Sequence, residues 1–201
     1  MNCKRLTYLL IALLILSVVG FRTCKKFNFN PSYTIGEKID SLNGVAVFYN
    51  GGVDNVSGRN TTDDGYNLGL KYQCVEFVKR YYYEYLQHKM PDSYGHAKDF
   101  FDKTLTDGQK NKQRNLTQYR NPSQTKPKVD DLLIFDATIS NKYGHVAIIS
   151  KVTENEIEIV QQNPGPFGKS RINIPLENIN GKWNINNERV LGWLRKETIN
   201  N

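Results

Sequence analysis

The chain has 201 residues, 39% of them hydrophobic, with 27 lysines and arginines, 20 acidic residues and three cysteines. Five of the basic residues (Lys4, Arg5, Arg22, Lys25 and Lys26) and none of the acidic ones lie before position 27, so residues 27–201 carry 27 − 5 = 22 basic against 20 acidic side chains. That near balance excludes a basic nucleic-acid footprint, and the charge excess reads as a membrane-orienting feature. Cys3 and Cys24 flank the apolar start, which leaves Cys74 alone in the rest of the chain and excludes a disulfide-built domain there.

Residues 1–26 have the layout of a signal peptide or signal anchor: Lys4 and Arg5, an uncharged stretch from Leu6 to Phe21, then Arg22, Lys25 and Lys26. At 1.5 Å per residue the apolar run spans roughly 24 Å, slightly less than a hydrocarbon core. No small-x-small cleavage site precedes Arg22, and Phe21-Arg22-Thr23 is a poor lipoprotein context for Cys24. An uncleaved anchor, a cleaved signal, a lipidated Cys24 and a merely buried segment stay open. The leading options place the protein outside the cytoplasm, membrane-anchored or secreted.

Residues 27–44 read as an extended lead-in, and 45–197 as one domain. Val45 to Tyr49 form the first strand-like run, and the Gly-rich stretch 54–69 reads as a surface loop. Val75, Val78, Tyr82 and Tyr85 then recur at helical spacing, predicting a helix over 73–87 with Cys74 in its first turn and Glu76, Lys79, Arg80 and Glu84 on the polar side. Three successive tyrosines, 81 to 83, point in different directions on such a helix and read as packing residues. A second helix is expected near Tyr94, holding Ala97, Phe100 and Phe101. The lysine-, asparagine- and glutamine-rich span 106–128 predicts a long exposed loop. Strands are expected at 131–135, 145–150 and 156–162, with further pieces at 171–174 and 190–194. Helices first and strands second give an α+β order.

A cysteine nucleophile needs thiolate character, which a helix start and a nearby imidazolium both favour. Of the three histidines, His88 lies fourteen residues along the same helix, roughly 21 Å from Cys74 and out of reach. His96 sits in a polar turn and reads as a surface or capping residue. His145 opens an apolar strand just after Tyr143-Gly144, where a polar side chain can face a cleft. No metal-ligand cluster and no cofactor motif stand out.

Tyr72-Gln73-Cys74-Val75-Glu76-Phe77-Val78-Lys79-Arg80-Tyr81 and Tyr143-Gly144-His145-Val146-Ala147-Ile148-Ile149 resemble the two signature segments of the CHAP family, the cysteine- and histidine-dependent amidohydrolases and peptidases. Within that family they are most similar to the amidase domains of glutathionylspermidine synthetase/amidase proteins. The resemblance implies a papain-like (NlpC/P60-like) fold with N-terminal helices on a small antiparallel sheet, Cys74 as nucleophile, His145 as base, and a thioester intermediate. It also implies an oxyanion site built from the Cys74 backbone N–H, with Gln73 as a further contributor. Relatives carry a glutamate to orient the histidine where this chain has Gln161, and Asn163 is the alternative on the same strand face. Glutamine can hold the ring but supplies no charge to stabilise an imidazolium. A second departure is Asp130, where relatives have glycine before the aspartate here numbered Asp131, a turn-supporting residue. The implied substrates are peptidoglycan peptides or, alternatively, a small glutathionylspermidine-like amide. A non-catalytic binding module is the third reading, motivated by Gln161.

Overall fold

The computed structural model describes residues 3–197 and runs α1 (Cys3–Cys24), β1 (Lys38–Leu42), β2 (Val45–Phe48), β3 (Arg59–Thr61), β4 (Asn67–Leu70), α2 (Cys74–Glu84), a 3-10 turn (Ala97–Phe100), β5 (Gln109–Asn111), β6 (Leu116–Arg120), β7 (Leu132–Phe135), β8 (His145–Val152), β9 (Glu156–Val160), β10 (Arg171–Ile179), β11 (Lys182–Ile185) and β12 (Val190–Arg195). Eight strands form one antiparallel sheet in the order β11-β10-β9-β8-β7-β12-β6-β5, and β1-β2 and β3-β4 are separate hairpins.

The apolar runs of β7 and β8 are continuous because both faces of this sheet are buried. Leu132, Ile134, Val146, Ile148 and Leu194 pack with Phe77, Val78, Tyr81 and Tyr82 of α2 and with Val45 and Val47 of β2. Their neighbours Leu133, Phe135, Ala147, Ile149 and Trp193 point the other way and meet Ile174, Leu176 and Ile185 from β10 and β11. The sheet curls to enclose this second layer. Ser123, just past β6, exchanges backbone hydrogen bonds of 3.0 and 2.7 Å with Trp183 of β11, and Asn121 fastens the same seam through Ile185. The expected small sheet is therefore replaced by a large, curled one. The N-terminal helices packed on it reduce to α2 and the 3-10 turn at Ala97–Phe100.

Two expected loops hold strands. Residues 109–111 and 116–120 are β5 and β6, and β6 pairs with β12 well inside the sheet. Two of their three buried residues, Asn111 and Gln118, are polar, which hid the alternation: Gln118 is fully buried, accepts from Asp102 N–H and Asn111 Nδ2, and donates to the Asp102 carbonyl. Likewise 54–69 contains β3 and β4, whose Asn67 and Leu68 are buried against α2.

α1 is exposed from Lys4 to Cys24, and this stretch is long and apolar enough to cross a bilayer, about 31 Å at helical rise.

Candidate active site

Cys74 is the first residue of α2, preceded by Gln73 in extended conformation and by Tyr72 at φ 66°. A bulky residue rarely adopts positive φ, and here it turns the chain sharply from β4 into the helix. The Tyr72 ring is held against Phe48, with centroids 5.6 Å apart. The first turn leaves the Cys74, Val75 and Glu76 N–H groups without helical partners, the first backbone bond being Phe77 N–H to the Gln73 carbonyl at 3.2 Å. Backbone N–H groups of Val146, Val75 and Cys74 act on the sulfur in the direction that favours thiolate. The start of β8 is thus against the start of α2.

His145 opens β8 after Gly144, at φ 74°, where a Cβ would stand 2.6 Å from the Phe135 carbonyl oxygen. Only glycine fits there, and the Asn141 side chain clamps the Gly144 carbonyl at 2.8 Å. The ring packs on Phe135, and its Nε2 lies 2.8 Å from Gln161 Oε1. Gln161 is buried, and its own Nε2 donates to the Lys169 carbonyl at 3.0 Å. That second bond fixes which end of the amide faces the histidine: the oxygen does. An oxygen can only accept, so His145 carries its proton on Nε2 and leaves the Nδ1 lone pair as the basic atom.

Asn163 goes elsewhere. β9 ends at Val160 and Asn163 has φ 59°, which breaks the strand alternation that would have set it beside Gln161. Its Nδ2 donates to the Val53 carbonyl and to Gln73 Oε1, at 2.9 and 2.7 Å. Gln73 Nε2 in turn donates to the carbonyls of Val53 and Asn55, at 3.3 and 2.7 Å. Both amide hydrogens of Gln73 are thereby engaged by the 53–55 loop, and its role here is to tie that loop to the helix start.

Three residues that sequence reasoning placed on an outer polar face are buried: Glu76, Lys79 and Arg80. Glu76, only 2% exposed, accepts from Arg80 Nε (2.6 Å), Asn60 Nδ2 (2.8 Å) and Gln162 Nε2 (2.9 Å). Gln162 also donates to the Gln73 carbonyl and accepts from Phe48 N–H, at 3.0 and 2.7 Å. Through this pair the end of β9 is fastened to the helix bearing Cys74. The presence of Glu76 inside the cysteine signature was the available signal.

The other histidines lie apart from this arrangement. His88 is buried with Nε2 2.9 Å from the Arg114 carbonyl, and His96 precedes the 3-10 turn with its ring against Tyr143. Tyr81 and Tyr82 are core residues whose hydroxyls donate to Asp130, through its carboxylate and carbonyl respectively. Asp131 is a buried partner of Arg195, at 2.8 and 2.7 Å, and accepts from the Lys128 N–H across the turn. Among the described residues no three His, Cys, Asp or Glu side chains converge as a metal site.

Burial sets the charge state of the pair. It pushes the Cys74 thiol up to about 11, against the three N–H groups that favour thiolate. It lowers His145 to about 4, against the Gln161 bond that favours the charged ring, and Arg189 adds to the lowering. Desolvation thus works against charge on either side chain, and the helix start and the glutamine work for it.

The family described as the CHAP domain matches residues 63–163, which contain Cys74, His145 and Gln161. Trypanothione synthetase of Crithidia fasciculata is 33% identical over 107 residues, covering 53% of this chain and 16% of that protein. The chain thus spans a small part of that relative's length. The solved crystal structure of Ly7917 overlaps 62% of this chain and 53% of its own at 15% identity, with a TM-score of 0.40. With half of its length matched to the family, and both signature segments inside the match, the chain belongs to the CHAP domain family.

Proposed function

We propose that this chain is a cysteine-dependent amide hydrolase, tethered to a membrane by α1, that acts on peptide amides of the peptidoglycan class outside the cytoplasm. CHAP domains are in general amidases and peptidases of papain-like fold, and α1 is compatible with a signal or an anchor. The observation that carries the catalytic reading is the Gln161–His145 bond, in which the glutamine's orientation leaves Nδ1 as the free base.

In this reading the Cys74 sulfur attacks the amide carbonyl carbon as its proton passes to His145 Nδ1. The oxyanion is met by the Cys74 N–H at the start of α2. His145 then protonates the departing amine, leaving a thioester on Cys74. Water, deprotonated by the same Nδ1, attacks the thioester, and the acid and the thiol are released. Gln161 acts only through the ring it orients.

Purified full-length protein given peptidoglycan sacculi is expected to release new amino termini. Cys74→Ala and His145→Ala should each lower the rate by at least about a thousandfold. No release by the parent protein, with turnover of glutathionylspermidine instead, would favour the second reading, a small peptide-polyamine amidase. That reading has its support in the likeness to trypanothione synthetase. Failure on both substrates and on a wider amide panel would move the assignment to a binding module.

A further inference from the structure

Just after α1, the segment Lys25–Asn30 is seated on three loops that lead into the site. The Lys25 carbonyl accepts from Asp54 N–H at 3.0 Å, and its ammonium donates to the Ser140 carbonyl. Asn28 Oδ1 accepts from Tyr49 Oη at 2.7 Å, and Asn30 Nδ2 donates to the Pro166 carbonyl at 2.8 Å. The contact is close. A Cβ on Gly52 would stand 2.2 Å from the Lys25 carbonyl oxygen.

Each loop reaches the candidate catalytic residues within a few positions. The Val53 carbonyl accepts from both Gln73 and Asn163. Ser140 lies in the turn that ends at Gly144-His145, and Pro166 lies in the loop between Gln161 and its partner Lys169. The end of the apolar helix and the rim of the Cys74 site therefore share one face.

That face carries the composition of a membrane interface. Phe27, Phe29, Ile139 and Phe167 are all exposed on the segment or its loops, Phe167 at 72%, and the rings of Phe27 and Phe29 pack edge to face. Lys26, Lys142 and Lys169 are exposed beside them. Aromatic and aliphatic side chains flanked by lysines, continuous with a helix end, are the pattern that settles at the headgroup level of an anionic bilayer.

We propose that the rim formed by the segment 25–30 and the loops around Ile139 and Phe167 is a bilayer-contacting face, binding an anionic lipid surface. The Cys74 site then opens at the membrane surface and takes amides held close to it. This rests on the reading of α1 as an inserted anchor.

Depth-dependent quenching tests both. The full chain would be reconstituted in phosphatidylcholine–phosphatidylglycerol vesicles with brominated acyl chains, as Ile139→Trp, Phe167→Trp, Ile179→Trp and Leu13→Trp variants, with the signal of Trp183 and Trp193 subtracted. Ile179 is exposed at the far end of β10, roughly 26 Å of strand from Arg171 beside the site. The expected result is strong quenching at position 13 and quenching at 139 and 167 several-fold above that at 179. Quenching at 13 with 139 and 167 no higher than 179 would overturn the bilayer-facing rim while leaving the anchor in place. Absence of quenching at 13 would overturn the anchor and the proposal together. Emission at 139 and 167 that shifts with protein density and is shielded from the brominated lipid would assign the face to a second copy of the chain instead.

Discussion

Gln161 gives the histidine an orientation without a charge, and the consequences are measurable. Burial lowers His145 to about 4, so if it serves as the base, kcat/KM should keep its activity on the acid side and lose it only near pH 4. The thiol, raised to about 11, should be alkylated by iodoacetamide with a midpoint above the 8.5 of a free cysteine. Gln161→Glu would place a carboxylate where Oε1 now sits and stabilise the imidazolium. It is expected to lower the alkylation midpoint and raise the acid limb, each by about one unit or more. Rate-against-pH curves for both proteins check this; a parental midpoint below 8.5 would contradict the raised thiol. Asp130 offers a stability test at the same scale. It stands at φ 72°, a conformation that favours glycine, and its carboxylate receives the Tyr81 hydroxyl. Asp130→Gly removes the left-handed strain as it removes that bond, so urea midpoints should barely move. Asp130→Ala keeps the strain and loses the bond, and should be less stable than the glycine variant by about 1 kcal/mol.

α2 was legible as a helix from the spacing of Val75, Val78 and Tyr82, and the helix start at Cys74 and the strand start at His145 were legible with it. Its surroundings were not. A helix with Glu76, Lys79 and Arg80 on one side normally shows that side to water, whereas here the β3–β4 hairpin covers it, Glu76 and Arg80 pair inside, and Lys79 is held by backbone carbonyls. The same physics hid β5 and β6, where buried Asn111 and Gln118 satisfy one another and break the apolar alternation that marks a strand. Gln161 became a candidate only through family likeness, and desolvation of the pair is set by packing that no local pattern encodes. The interior position of Glu76 predicts its energetic weight. Glu76→Ala leaves Arg80 buried without its carboxylate and removes one of the two bonds Gln162 gives to the start of α2, and should lower unfolding stability by about 3–5 kcal/mol, read from denaturant curves. An exposed i,i+4 pair would give only a few tenths. The same variant should loosen Gln73 and the end of β9, lowering activity in protein that remains folded.

For the molecule as a whole, the helix–sheet layer contains a lysine without a carboxylate. Lys79 is fully buried, its ammonium donating to the Asn67 and Ser93 carbonyls beneath the Tyr66 ring. Burial lowers it to about 7 from an ordinary 10.5, with the positive charges of Arg114 and Arg59 adding to the effect. Above pH 7 the unfolded chain binds a proton at this position that the folded chain has released, so stability rises with pH through this window. The slope contributed by one such group approaches about 1.4 kcal/mol per pH unit. It ends near the unfolded value, and above pH 9 the raised Cys74, Tyr81 and Tyr82 act in the opposite direction. His145, lowered to about 4, gives a separate rise between about pH 4 and 6.5, and His88, also lowered by burial, acts in the same direction. Urea unfolding at intervals from pH 7 to 8.5 should therefore show stability increasing for the parent protein and a much flatter line for Lys79→Met. The flattening separates titration of Lys79 from lost packing, because a purely structural defect in the methionine variant would displace the line without changing its slope.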